Sequence, residues 1–157
     1  MKFADKDFKE YWKIIKIPVY VFIGWSVLAF ILAVISYEVY SAVFSTMSGL
    51  IFSIAVFSFV GWTAVKDYKQ GIGHSAWAGA LTGVISGLVG AILSILMFYT
   101  VPDVLLAAAS QSGADPADLM GIMSVMIYIG LITGPLFSGL IGAGLTSITA
   151  LIAKKIK

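Results

Sequence analysis

Four stretches of this chain, each long enough to cross a bilayer, hold no charged side chain, and no other pattern in it constrains the fold so severely. About 20 apolar residues in an α-helix span the roughly 30 Å hydrocarbon core, where no water satisfies an exposed backbone. The first stretch runs from Pro18 to Tyr37 and closes a span over 18–38. Further spans are expected over 44–65 and 76–99, and the last apolar segment fills 116–153, with no charge between Leu119 and Ala153. Composition agrees: 60% of the residues are hydrophobic and 11% charged, with a mean hydropathy of +1.01, whereas soluble domains carry about 25% charge. The expected fold class is an all-α membrane protein. Its form is a four-transmembrane-helix antiparallel bundle, preceded by an N-terminal amphipathic interfacial helix over 1–17.

Cytoplasmic loops retain basic residues, so the lysines orient the bundle. Lys2, Lys6, Lys9, Lys13 and Lys16 precede the first span, Lys66 and Lys69 lie between the second and third, and Lys154, Lys155 and Lys157 follow the last. All ten fall on one side of this layout, while the opposite loops carry only Glu38, Asp103, Asp115 and Asp118. A multi-pass protein of the plasma membrane with both termini cytoplasmic is expected. The first apolar run exceeds the h-region of a cleaved signal peptide and is read as a retained span.

The five N-terminal lysines recur at intervals of 4, 3, 4 and 3. On a helix this makes one stripe, opposite an apolar face of Phe8, Tyr11, Trp12 and Ile15. Such a helix suits a bilayer surface, where each lysine near anionic lipid contributes about 1 kcal/mol. Anionic lipid of the inner leaflet is therefore an expected partner. Pro18 should separate this helix from the first span, because the residue before a proline avoids the α region.

Within the spans the glycines need a reason. Gly79, Gly83, Gly87 and Gly90 share one segment, and in water each would weaken a helix by about 1 kcal/mol relative to alanine. Every fourth residue gives a small row, Ser75, Gly79, Gly83, Gly87, Ala91, and the last segment repeats it with Gly130, Gly134, Ser138, Gly142, Thr146, Ala150. Lipid supplies no hydrophobic force between helices, so association depends on close van der Waals approach, which small residues allow. Successive steps of four drift by about 40°, so the row of the third span calls for at least two neighbours, within the chain or in a second copy. SGLVGA at 86–91 and SGLIGA at 138–143 are read as convergence on this packing alphabet rather than as an inverted repeat.

The fourth segment is overlong. Asp115, Pro116 and Asp118 make a helix start, and a helix from there to Ala153 would measure roughly 57 Å. Gly134 and Pro135 offer a hinge, since an interior proline removes a hydrogen bond and kinks the helix. A bent helix leaning in from an external shoulder is favoured over a re-entrant half-helix at 119–133. Within the outer loop, 100–115, Pro102 and Asp103 open a short helix.

Function narrows by exclusion. Cysteine and arginine are both missing, which removes thiolate chemistry and the planar fork that grips phosphate, and makes nucleic acid an unexpected partner. His74 with Asp67 is too little for a metal site or a nucleophile relay. Met47, Met97, Met120, Met123 and Met126 are ordinary membrane core. No ionisable residue lies mid-span, which argues against proton coupling. Neither catalytic residues, nor metal ligands, nor a cofactor are expected. In residues 58–88, Gly61, Trp62 and Ala64 end one span, and Gly71, Gly79, Gly83 and Gly87 follow through a basic turn. This hairpin resembles one found in small uncharacterised four-span, glycine-rich membrane proteins of archaea and bacteria, which implies the topology and no activity. The functional expectation is a non-enzymatic polytopic membrane protein acting through helix packing, as a homo-oligomer or an accessory subunit of a membrane assembly. The alternative is a channel or transporter for a small solute or ion, with Ser and Thr hydroxyls and the Gly134–Pro135 hinge lining its path.

Overall fold

A computed structural model describes residues 2–3, 6–44, 46–113 and 115–156, and these are almost wholly helical. A two-stranded hairpin, β1 (Lys2–Phe3) against β2 (Lys6–Asp7), leads into α1 (Phe8–Ile35). There follow α2 (Tyr37–Val43), α3 (Thr46–Lys66), α4 (Ile72–Thr100), α5 (Pro102–Ser112) and α6 (Pro116–Lys155). Of these α1, α3, α4 and α6 are long and apolar enough to cross a membrane. Helix ends follow local chemistry. The Glu10 carboxylate accepts from the Asp7 N–H at 3.1 Å to open α1, and the Ser36 hydroxyl accepts from the Val39 N–H at 3.4 Å to open α2. Gly113, at φ +67°, closes α5 in the left-handed conformation that favours glycine.

The N-terminal expectation is corrected on two points. Lys2 and Lys6 lie in the hairpin, so the helical stripe is reduced to Lys9, Lys13 and Lys16; residues 1, 4 and 5 of the expected helix fall outside the described set. The break at Pro18 is absent, and α1 passes through it. A proline costs an isolated helix about 3 kcal/mol, yet membrane helices keep prolines where neighbouring helices hold the backbone. Here Tyr11, Ile14, Ile15, Pro18 and Val19 form a buried face. Its apolar side chains pack with Val60 and Ala64 of α3 and Ala78 of α4 in the main core. Of the apolar side expected to meet lipid, Tyr11 and Ile15 meet protein instead, while Phe8 stays exposed.

Polar contacts tie down the same end. Lys6 Nζ donates to Gln70 Oε1, the Tyr11 hydroxyl lies 3.0 Å from His74 Nδ1, and the Tyr68 hydroxyl donates to the Lys13 carbonyl at 2.9 Å. The turn they grip is closed by Gln70 N–H on the Ala64 carbonyl at 2.8 Å. Lys66 Nζ reaches the Ile156 carbonyl. Lysines from three parts of the chain thereby share one end of the fold. At the far ends of α1 and α4, Glu38 and Asp103 border one cavity together with Ser36, Ser41 and Ser110.

Further along, aromatic rings join α1 to α3. Phe22 sits 5.4 Å from Phe52 and 5.2 Å from Phe57, and Trp25 stacks on Phe52 at 4.2 Å. α6 runs unbroken through Gly134 and Pro135 for 40 residues, or about 60 Å.

Candidate functional site: a glycine seam flanked by a cleft and a groove

α4 and α6 share the most extensive helix contact in the protein. Ascending positions in α4 meet descending positions in α6. A Cβ built on Gly79 would strike Thr146 and the Gly142 carbonyl, and one on Gly83 would strike the Ser138 carbonyl. On Gly87 it would come within 2.9 Å of Pro135 Cα and 3.0 Å of Ser138 Cβ. Gly142 is closed from its own side by the Gly79 carbonyl and by Phe57 Cε1 at 2.7 Å. The backbones touch where side chains would otherwise hold them apart, which is how helices gain attraction in lipid. Buried hydroxyls at the seam are satisfied within their own helices: Thr82 donates to the Ala78 carbonyl at 2.8 Å and Thr146 to that of Gly142 at 2.7 Å.

Two further glycines join the seam. A Cβ on Gly139 would lie 2.8 Å from Val84 Cγ2, and one on Gly61 of α3 would lie 2.5 Å from the Thr146 carbonyl. Gly139 has a readable signal, because Pro135, Gly139, Gly142 and Thr146 are spaced 4, 3, 4. Alternating steps of four and three stay on one face, whereas steps of four alone drift away. Gly61 continues the register of Ser41, Ser45, Gly49 and Ser53 past Phe57, and the fold brings it to Thr146.

Gly130 and Gly134 stand apart from the seam, since nothing lies within 4 Å of a Cβ on either. Both border a cleft of about 490 Å³ that opens beyond the Gly87–Pro135 contact, toward the Thr100 end of α4. Phe22 and Phe57 line it from α1 and α3, Ala91 and Ile127 from α4 and α6, and Ser53, Ser86, Ser94 and Ser138 complete its wall. None of its lining residues is charged. The Ser86 Oγ is buried without a hydrogen-bond partner, the one such side-chain atom among the described residues.

On the other flank of the seam lies a groove of about 650 Å³. Its floor is Gly73, Ala76, Ala80, Gly139 and Ala143, and its rim is Trp77, Val84, Leu136 and Leu140. Of the N-terminal lysines, Lys9, Lys13 and Lys16 are exposed along α1 and Lys6 is half-buried against the turn. On α2, outside the four long helices, burial and then the neighbouring Tyr37 hold the Tyr40 hydroxyl above the ordinary tyrosine pKa. Among the described residues no group of three or more His, Asp or Glu side chains is placed to hold a metal ion. No family model, curated protein or solved structure matches the chain.

Proposed function

We propose that the chain is a four-span antiparallel bundle of the plasma membrane with both termini cytoplasmic, working without catalysis through its helix surfaces as a homo-oligomer. The contact order supports the alternation: α6 meets α4 in reverse order, whereas Phe57 and Gly61 of α3 meet α6 at Gly142 and Thr146 in forward order. Gathering of lysines at one end and of Glu38 and Asp103 at the other supports the orientation. In that orientation the exposed Lys9, Lys13 and Lys16 face anionic lipid of the inner leaflet. Because the chain has no cysteine, single cysteines report cleanly. Glu38→Cys is expected to react with a membrane-impermeant maleimide on intact cells, and Lys69→Cys only after permeabilisation. The reverse pattern would sink both the orientation and the lipid contact that depends on it.

The groove beside the seam carries the oligomeric reading. Its floor of alanine and glycine lets another helix approach closely, the property that drives association in lipid. Its rim holds what would fill it, since Leu140 is 70% exposed and Leu136 is 59% exposed. A face that carries both a recess and the side chains to occupy it is self-complementary under two-fold symmetry. A second copy is thus the proposed occupant. Ala80→Phe, which fills the recess, is expected to weaken dimerisation at least tenfold, or about 1.4 kcal/mol, measured by energy transfer between labelled copies in nanodiscs. A wild-type protein that stays monomeric in several mild detergents and does not crosslink to itself in native membranes would refute the homo-oligomer. A crosslink to a different membrane subunit, lost in Ala80→Phe, would make the protein an accessory subunit instead.

A further inference from the structure

We infer that the cleft between the diverging ends of α4 and α6 is a binding site for a small neutral organic molecule carrying one hydroxyl or carbonyl group, which the Ser86 hydroxyl receives. This goes beyond the packing reading and uses the opposite flank of the seam. Glycine at 130 and 134 is not demanded by any neighbour, because a Cβ at either would meet nothing within 4 Å. What the missing side chains leave is the cleft itself. Its volume, about 490 Å³, falls in the range of small-molecule pockets, about 300–1,000 Å³.

Ser86 specifies the polar end of the ligand. Several hydroxyls in these helices bond back to the carbonyl four residues earlier, as those of Ser53, Ser75, Thr133 and Thr146 do. Ser86 does not: its Oγ is buried and unpaired while the residue itself borders the cleft, so a turn about χ1 brings the hydroxyl to the open space. Buried polar atoms are nearly always paired, so an exception next to a cavity points to a partner that arrives from outside. The lining selects against an ion, whose charge would find no counter-charge in a low-dielectric site. It also disfavours filling by water alone, since each buried water needs two to four polar partners and much of this wall is ring, methyl and glycine. An apolar body with one hydrogen-bonding group fits both the wall and the orphan hydroxyl.

The test uses full-length protein in phosphatidylcholine nanodiscs with a diazirine-bearing octanol and the matching diazirine-bearing octane as probes. Saturable labelling of residues bordering the cleft is expected from the alcohol, with competition by unlabelled octanol. Ser86→Ala should weaken that labelling about two- to tenfold, the effect of one hydrogen bond. Gly134→Leu should abolish it while the unfolding temperature holds, because the added side chain enters open space. Labelling that does not saturate, or that is equal for alcohol and alkane and indifferent to both substitutions, would overturn the site and leave only a lipid-tail groove. Ala80→Phe should leave the labelling intact, so failure of the oligomeric reading and failure of this one are separable.

Discussion

Gly83→Ala is expected to destabilise the protein by about 3 kcal/mol, the upper end of what overpacking usually costs. The added methyl would meet the carbonyl carbon and oxygen of Ser138 and the Gly139 nitrogen. These are backbone atoms of α6 and have no rotamer to retreat into. Relief requires the two helices to separate, which would loosen Gly79 from Gly142 and Gly87 from Pro135 in the same step. Gly83→Leu should leave little folded protein. Gly130→Ala supplies the contrast, for it adds the same methyl where nothing stands within 4 Å and gains up to about 1 kcal/mol of helix propensity. It should be neutral or stabilising, as should Leu88→Ile on the exposed side of α4. Unfolding in dodecyl maltoside followed by circular dichroism measures all four. Equal stabilities for Gly83→Ala and Gly130→Ala would mean that the α4–α6 seam is not closed as described.

What could be read from the sequence depended on whether a property belonged to one segment or to two. Helices long and apolar enough to cross a membrane are a property of single segments, and they stand at Phe8–Ile35, Thr46–Lys66, Ile72–Thr100 and Asp118–Lys155. The row in α4 was legible in part: Gly79, Gly83 and Gly87 close on α6, while Ala91 borders the cleft. Ser138, Gly142 and Thr146 of the row in α6 answer it, but how far along α6 that contact runs was not legible. Gly130 and Gly134 of the same row line a cleft instead, while Gly139 and Gly61 close contacts from outside it. Distances between helices decide this, and they depend on side chains from both. Pro18 shows the same limit from the other side. Its local preference argues for a break, and the packing of Ile14, Ile15 and Val19 on α3 and α4 overrides it. Nothing local marks Ser86 either. It is one serine among many until the fold buries its hydroxyl without a partner.

Tyr11→Ala is expected to lower stability by about 3–5 kcal/mol, the range for emptying a buried aromatic site. Tyr11 is fully buried, at 0% exposure, in the core shared with Ile15, Val60 and Ala78. Its hydroxyl reaches His74 Nδ1 at the start of α4. Tyr11→Phe keeps the ring and loses that bond, so it should cost only about 1 kcal/mol. Phe8, half-exposed one turn earlier and stacked on Trp12, should cost still less when cut to alanine. The gradient separates two roles for the N-terminal segment. A helix resting on the bilayer surface by itself would lose lipid affinity in Phe8→Ala and Tyr11→Ala alike, and unfolding of the bundle would not move. A segment docked on α3 and α4 gives the graded losses above, in the same denaturation experiment. In that case Lys9, Lys13 and Lys16 are carried on a rigid extension of the first long helix. Whatever they contact at the surface then bears directly on the turn that Lys6, Lys13 and Tyr11 hold through Gln70, Tyr68 and His74.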